Sequence, residues 1–294
     1  MTKGDRYIIG TAAWRQNYGV LKPLSALNVD QIFSILDYCS TLKFDTLDTA
    51  LIYGDIVPTL ANYSTISEFN VISKFSFKLD NLRNSISEIE NNLLYFSKAK
   101  SLSLLIHNID FLHNKSKWCE ILRANIINNY EDINFGISLY TPKEFNRVLK
   151  SSFTPDFIQF PICFGDLRWQ HFMENLSPEL LNKLSKIELH ARSIFLQGSL
   201  LHKSKKHCFK QKLYNSEMTR WWKFVEKCGA EPYSICLNPI IQNPQINKIN
   251  IGINSISELL ALRQFLDSDH GRDDQYDHFS FSSSFLDIRN WKRA

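Results

Sequence analysis

The stretch FNVISKFSFKLDNLRNSISEIENNLLYFSKAKSLSLLIH, residues 69–107, sets two short apolar runs on either side of a longer amphipathic one. The outer runs, FNVISKF (69–75) and SLSLLIH (101–107), are brief and rich in residues that suit buried strands. Between them lies DNLRNSISEIENNLLYF (80–96), where Leu82, Ile86, Ile89, Leu93 and Phe96 recur at steps of four, three, four and three. That spacing puts all five on one face of a helix. Asp80 stands where it can cap the helix start. Two strands joined by a helix of this length run parallel, because the crossover returns the chain to the same end of the sheet.

The pattern extends in both directions. RYIIGTA (6–12), FDTLD (44–48), INFGISLY (133–140), PDFIQFPI (155–162), KIELHARSIF (186–195) and INKINIGI (246–253) read as further strands. VDQIFSILDYCSTL (29–42), KSKWCEILRANIINNY (115–130), SPELLNKL (177–184), SEMTRWWKFVEKCG (216–229) and SISELLALRQFL (255–266) read as helices. Thr141-Pro142 opens another, since proline is tolerated in a first turn. Eight strand–helix units in about 250 residues predict an α/β fold, a (β/α)8 TIM barrel. One such domain takes up residues 1–294, with DSDHGRDDQYDHF (267–279) as a polar loop. A doubly wound dinucleotide fold would carry GxGxxG after its first strand, and GTAAWRQNYG does not match.

Composition narrows the function. The chain has 294 residues, 44% of them hydrophobic, which is ample for a large core. Net charge is only +4, and the one local basic cluster, HKSKKHCFKQK (202–212), reads as a solvated or phosphate-facing loop. Nucleic acid is not expected as a partner. No apolar run approaches the ~20 residues needed to span a bilayer, so no membrane is expected either. The opening MTKGDRYIIGTA lacks the apolar region of a signal peptide. Cys39, Cys119, Cys163, Cys208, Cys228 and Cys236 are scattered without paired spacing and read as reduced thiols, not a disulfide frame or a zinc site. The expectation is a cytoplasmic protein, a monomer or homo-oligomer, with no metal.

Barrel enzymes carry their chemistry at the carboxyl ends of the strands. Asp48 ends the second strand here, and Tyr53 follows on its loop. Lys74 ends the third and His107 the fourth. A phenol has a pKa near ~10, too high for ready donation at neutral pH. An ammonium beside it lowers that value, and a carboxylate holds the ammonium in place. A neutral imidazole can hydrogen-bond and orient a substrate carbonyl. Together the four can protonate an oxyanion as a hydride reaches carbon.

At these residues the sequence resembles the aldo-keto reductases, whose tetrad is Asp, Tyr, Lys and His in this order. Further segments are similar to one bacterial branch: GTAAWRQNYGV (10–20), FGISLY (135–140), FIQFP (157–161), ARSIFLQGSLL (191–201), INIGINSISEL (249–259) and FLDIRNW (285–291). The resemblance implies hydride transfer between NADP or NAD and a carbonyl or alcohol, with a small polar or sugar-like substrate and a place in carbohydrate metabolism. It implies Tyr53 as proton donor, Lys74 tuning it, Asp48 anchoring Lys74 and His107 orienting substrate. It also implies that Ser138 and Gln159 hold the nicotinamide carboxamide. Arg192 would stack on the nicotinamide ring, and Ser193 and Gly198 would approach the pyrophosphate. Gly10, Thr11, Gly252 and Ser255 would line the rest.

Some positions depart from the pattern. Glu258 stands where NADP-preferring relatives carry a basic residue, and Leu262 stands where a polar contact to adenine is expected. A carboxylate repels a 2′-phosphate and can accept from a ribose hydroxyl. After YGD the run IVPTLANYS lacks the usual glutamate. Trp14, Tyr18, Phe164 and Trp169 fall in or near strand-end loops and can pack a sugar face or the core. Two other functional classes are compatible with the residues. One is a non-catalytic barrel with a degenerate cofactor site, used for binding or scaffolding. The other is a lyase or isomerase with Lys74 as a Schiff base, disfavoured because a paired, charged lysine is a poor nucleophile.

Overall fold

The computed structural model describes residues 4–15, 26–113, 117–203, 209–268 and 279–291. Its strands are β1 (Tyr7–Gly10), β2 (Thr46–Asp48), β3 (Asn70–Phe75), β4 (Ser101–Ile106), β5 (Asn134–Ser138), β6 (Phe157–Pro161), β7 (Glu188–Arg192) and β8 (Lys248–Gly252). Each pairs in parallel with the next, and β8 closes on β1, giving a single (β/α)8 barrel. Each strand lies inside the apolar run that predicted it. Part of the polar loop expected over 267–279 lies outside the described residues.

The helices depart from expectation in ways that have local causes. Helix α1 (Val29–Thr41) opens on a capping box between Asn28 and Gln31. Helix α3 (Leu82–Tyr95) is capped by Asn81, whose Oδ1 accepts from the Asn84 N–H, and not by Asp80. The run expected over 115–130 gives α4 (Trp118–Asn125) and then a separate 3-10 turn at Ile127–Asn129. Helix α8 begins at Lys212, ahead of the predicted start at Ser216, and ends at Cys228. The connections also hold α2 (Ile56–Ala61), α6 (Leu167–Glu174) and α9 (Pro232–Gln242). Helix α2 is too short to display a period. Helix α9 buries Ile235, Cys236, Leu237, Asn238 and Ile240, so no single apolar stripe marks it. Helices α5 (Pro142–Lys150), α7 (Pro178–Leu184), α10 (Ile256–Asp267) and α11 (Ser283–Leu286) complete the described set.

Alternation along each strand sorts side chains into two cores. Ile8, Ile72, Leu105 and Phe157 form a small cluster of their own inside the barrel. The outward positions, such as Ile9, Leu47, Val71, Leu104, Ile158 and Leu189, join the large core under the helices. His190 on β7 faces inward and stacks on Phe157 with ring centroids 4.7 Å apart. Gly136 on β5 is a glycine for lack of room. A Cβ there would lie 2.6 Å from the Phe157 ring and 2.8 Å from Leu105 Cδ2. Trp14, Phe164 and Trp169 are all buried, so these aromatics pack in the core. Tyr18 lies outside the described residues.

Five cysteines, Cys39, Cys119, Cys163, Cys228 and Cys236, are free thiols, and Cys208 lies outside the described residues. Among the described residues no helix is long and apolar enough to cross a membrane.

Because His190 backs the Phe157 ring, that ring cannot swing aside for a new methyl group. Gly136→Ala is expected to cost about 1–3 kcal/mol of stability, the usual range for overpacking. Adding Phe157→Leu should recover part of the loss. Urea midpoints of the single and double variants check this.

Candidate active site

Alternation carries the inward-facing set to the open, carboxyl end of the barrel. Two residues beyond Ile8, Ile72 and Phe157 stand Gly10, Lys74 and Gln159, and two beyond Gly136, His190 and Asn250 stand Ser138, Arg192 and Gly252. Gly10 pairs with Asp48 on one side and Gly252 on the other, while Ser138 pairs with Gln159. His107 lies just past β4, its N–H still continuing the ladder to the Phe75 carbonyl at 2.8 Å.

Asp48 and Lys74 are both 4% exposed and form an ion pair, Nζ to Oδ1, of 2.7 Å. The ammonium also donates to the Thr49 carbonyl at 2.7 Å. The other carboxylate oxygen, Oδ2, accepts from Gln159 Nε2 at 2.9 Å, reaching across the barrel. That amide must present its NH2 here, because a carboxylate can only accept. The Asp48 backbone is held as well, with the Thr11 N–H and hydroxyl both donating to its carbonyl at 3.0 Å. Thr11 is therefore a buried brace between β1 and β2. Sequence reasoning missed this brace and the Gln159–Asp48 bond.

Tyr53 ends a 3-10 turn, Leu51–Tyr53, and Gly54 leaves it at φ +78°, a conformation that favours glycine. The turn places the phenol ring against the ion pair, with Lys74 Nζ 5.1 Å from its centroid. Among the described residues no group hydrogen-bonds the Tyr53 hydroxyl. The expected lowering of its pKa by Lys74 is not what the surroundings give. Burial pushes the phenol above its ordinary value, the Asp48 charge adds to that, and Arg192 opposes both. Asp48 binds Lys74 closely, so the phenol experiences a pair instead of a bare cation. His107 is driven down to about 4, chiefly by burial and then by Lys74, so its imidazole is neutral at physiological pH.

Arg192 donates to the Leu139 carbonyl at 3.0 Å and to Ser193 Oγ at 3.2 Å. Its guanidinium lies 4.5 Å from the Tyr140 ring centroid, and that of Arg289 lies 4.5 Å from the same ring. Glu144 fixes this stack. Its Oε1 takes Arg289 at 3.2 Å, and its Oε2 takes the Tyr140 and Thr141 N–H groups. Glu144 is the third residue after Thr141 in a capping box. Tyr140 and Arg289 fall in the segments FGISLY and FLDIRNW, but nothing in the sequence joined them to Arg192 or Glu144.

The loop after β7 is strained. Ser193, Leu196, Gln197 and Gly198 all have positive φ. Among the described residues, the Gln197 and Gly198 N–H groups have no acceptor. At the start of α10, Ser255 Oγ accepts from the Glu258 N–H, and Glu258 Oε2 accepts from the Asn254 N–H at 2.8 Å. Leu262 is wholly buried in the outer core, so no side chain at that position faces an adenine.

Elsewhere, a groove of about 460 Å³ lined by Phe160, Trp169, Met173, Leu189 and Ile246 opens on the outer side of β6 and β7. Its strand residues alternate away from the tetrad, so it has no access to that chemistry. Among the described residues no cluster of histidine, cysteine and carboxylate side chains is set to hold a metal.

No protein-family model matches the chain. No curated protein matches it either. Solved structures do share its fold. One from Pseudomonas aeruginosa, provisionally described as an aldo-keto reductase, is 14% identical over 89% of this chain and 88% of its own, with a TM-score of 0.61. A second from the same organism, with the same provisional description, is 14% identical over 89% of this chain and 87% of its own, with a TM-score of 0.57. At that identity the likeness speaks for the fold.

Each Asp48 oxygen faces a donor, so Asp48→Asn must turn an NH2 toward one of them and leave Lys74 unpaired. The expected cost is about 3–5 kcal/mol, and adding Lys74→Met should recover part of it. Thermal melts of the three variants test the pair. A depressed imidazole pKa has a further consequence. The unfolded state, with a histidine pKa of ~6.5, binds more protons than the folded one between that value and about 4. The stabilisation is complete above the unfolded value and is lost as pH falls through the window. His107→Asn should flatten the decline in stability by up to about 2 kcal/mol at pH ~5, read from urea midpoints. Burial lowers His190 too, so part of the slope will remain.

Proposed function

We propose that this chain is an NAD(P)-dependent oxidoreductase of the aldo-keto reductase kind, which reduces a carbonyl or oxidises an alcohol of a small polar or sugar-like molecule. The observation that carries this reading is the Asp48–Lys74 ion pair beneath the Tyr53 ring, with a neutral His107 at the next strand end. A bound nicotinamide supplies a hydride to the carbonyl carbon. Tyr53 supplies the proton that the carbonyl oxygen takes up, and solvent returns one to the phenolate. A raised phenol pKa keeps that proton in place until needed. An alkoxide oxygen is far more basic than an ordinary phenolate, so it draws the proton from the phenol. Neutral His107 donates to the carbonyl oxygen and fixes its orientation. The lysine is anchored to two acceptors, which supports a role as a fixed charge and argues against an imine-forming amine.

The residues fit a nicotinamide dinucleotide. A carboxamide needs one donor and one acceptor. Ser138 Oγ has no partner among the described residues, and Gln159 gives its NH2 to Asp48 while keeping its carbonyl oxygen. Free N–H groups of the strained loop at 193–198, those of Gln197 and Gly198 among them, suit a pyrophosphate. Non-glycine residues held at positive φ cost about 1 kcal/mol each, and a function for those N–H groups accounts for their retention. Gly10 and Gly252 would border the same end of the barrel, whereas Thr11, wholly buried, braces the Asp48 backbone and would not touch the nucleotide. Ser255 and Glu258 cap α10 with a carboxylate, which opposes a 2′-phosphate and favours NADH over NADPH. Work on sugars in the cytoplasm belongs with this reading. The competing reading, a barrel that keeps the tetrad without turnover, draws on the same carboxylate.

Fluorescence titration with NADH and NADPH separates the two. NADH is expected to bind the tighter, and Glu258→Lys to move the preference toward NADPH by about tenfold. Binding of neither would favour the non-catalytic barrel, and clearly tighter NADPH binding would defeat the assignment to Glu258. Tyr53→Phe should lower turnover by at least ~100-fold, the usual scale of general acid catalysis, with nucleotide affinity nearly unchanged.

A further inference from the structure

Several charged groups around the barrel mouth are paired among the described residues. Asp48 neutralises Lys74, Asp55 binds Arg15, Asp166 binds Arg168, and Arg289 lies between Asp287 and Glu144. Arg192, half-buried at the end of β7, has no carboxylate partner among the described residues. Two acceptors, the Leu139 carbonyl and Ser193 Oγ, engage two of its N–H groups. A guanidinium carries five, so three remain. A cation taken partly out of water with no counter-charge is costly, and an arriving anion relieves that cost.

The group is also pre-organised. Tyr140 lies against Arg192 on one side and Arg289 on the other, each guanidinium 4.5 Å from the ring centroid. Buried Glu144 ties Arg289 to the Tyr140 backbone. The guanidinium thus has a fixed plane and free edge N–H groups, the geometry that binds a carboxylate or phosphate in a forked pair. Arg192 stands two residues beyond inward-facing His190, next to the β6 strand that carries Gln159, and so at the same open end of the barrel as Lys74 and His107.

We infer that Arg192 is an anion subsite beside Tyr53 and His107, and that the substrates are carbonyl compounds bearing a carboxylate or a phosphate ester. Tyr140 and Arg289 are positioning residues for it. The word substrate rests on the oxidoreductase reading above, whereas the anion subsite does not. The diphosphate of a dinucleotide has the same chemistry, so the test must tell the two sources apart.

The experiment is calorimetric titration of the full chain with benzoate and with benzamide, first without nucleotide and then with saturating NADH. Benzoate should bind about tenfold tighter than benzamide. Arg192→Gln should remove that difference, and Arg192→Lys should keep part of it. Arg289→Met should weaken benzoate by a few-fold, roughly, through the loosened stack. Retention of benzoate binding with NADH present supports a substrate subsite, while its loss assigns the cation to the diphosphate and overturns the proposal. Equal binding of benzoate and benzamide by the parent protein overturns it too, as does a preference that Arg192→Gln leaves intact. Turnover is then compared for 4-carboxybenzaldehyde and 4-methylbenzaldehyde. A kcat/KM ratio near about ten that falls toward one in Arg192→Gln supports the substrate class, and a ratio near one in the parent overturns it. Arg192-dependent benzoate binding with no binding of NADH or NADPH and no turnover of either aldehyde would retain the anion subsite and reject the oxidoreductase reading.

Discussion

One buried ion pair organises the open end of this barrel. Asp48 and Lys74 come from neighbouring strands and exclude water almost completely. Such a pair is tolerable only when its remaining donors and acceptors are met. Here they are, from Thr49 on the same connection and Gln159 across the barrel, with Thr11 bracing the aspartate backbone. The same bonds that make the charges bearable also fix the platform on which the Tyr53 ring rests.

The barrel supplies the convergence. Closing eight strands with a side-chain period of two sends one inward position from each toward the same opening. The interior below is filled by Ile8, Ile72, Leu105 and Phe157, with Gly136 leaving room for the phenylalanine. Polar groups above that layer therefore stand on a packed floor. Their protonation follows from the same enclosure. Burial keeps the phenol protonated and the imidazole neutral, the forms that the proposed acid and orienting donor require.

Charge at the rim has a different logic. Most cations there were given carboxylates by nearby turns, as Arg289 by Asp287 and Arg15 by Asp55. Arg192 was instead given an aromatic face, two neutral acceptors and a second guanidinium beyond the ring. That arrangement holds the group still without cancelling its charge, which is what recognition of an anion requires.

Period and spacing alone determined the barrel and its strands and drew attention to Asp48, Lys74 and His107 at strand ends, because these depend on local alternation and on which residue ends each run. The stretch 69–107 needed no partner to reveal its helix or to place Lys74 and His107 within one residue of its strand ends. Short α2 and apolar α9 left no period to read, and the cap of α3 moved by one residue because Asn81 and Asp80 are equally able acceptors. Only the tertiary structure decided that Gln159 binds Asp48, that Leu262 faces the core, and that Arg192 shares Tyr140 with Arg289. Gln159 and Asp48 are 111 positions apart and Arg289 and Tyr140 further still, and a linear pattern carries no record of which side chains meet when the sheet closes.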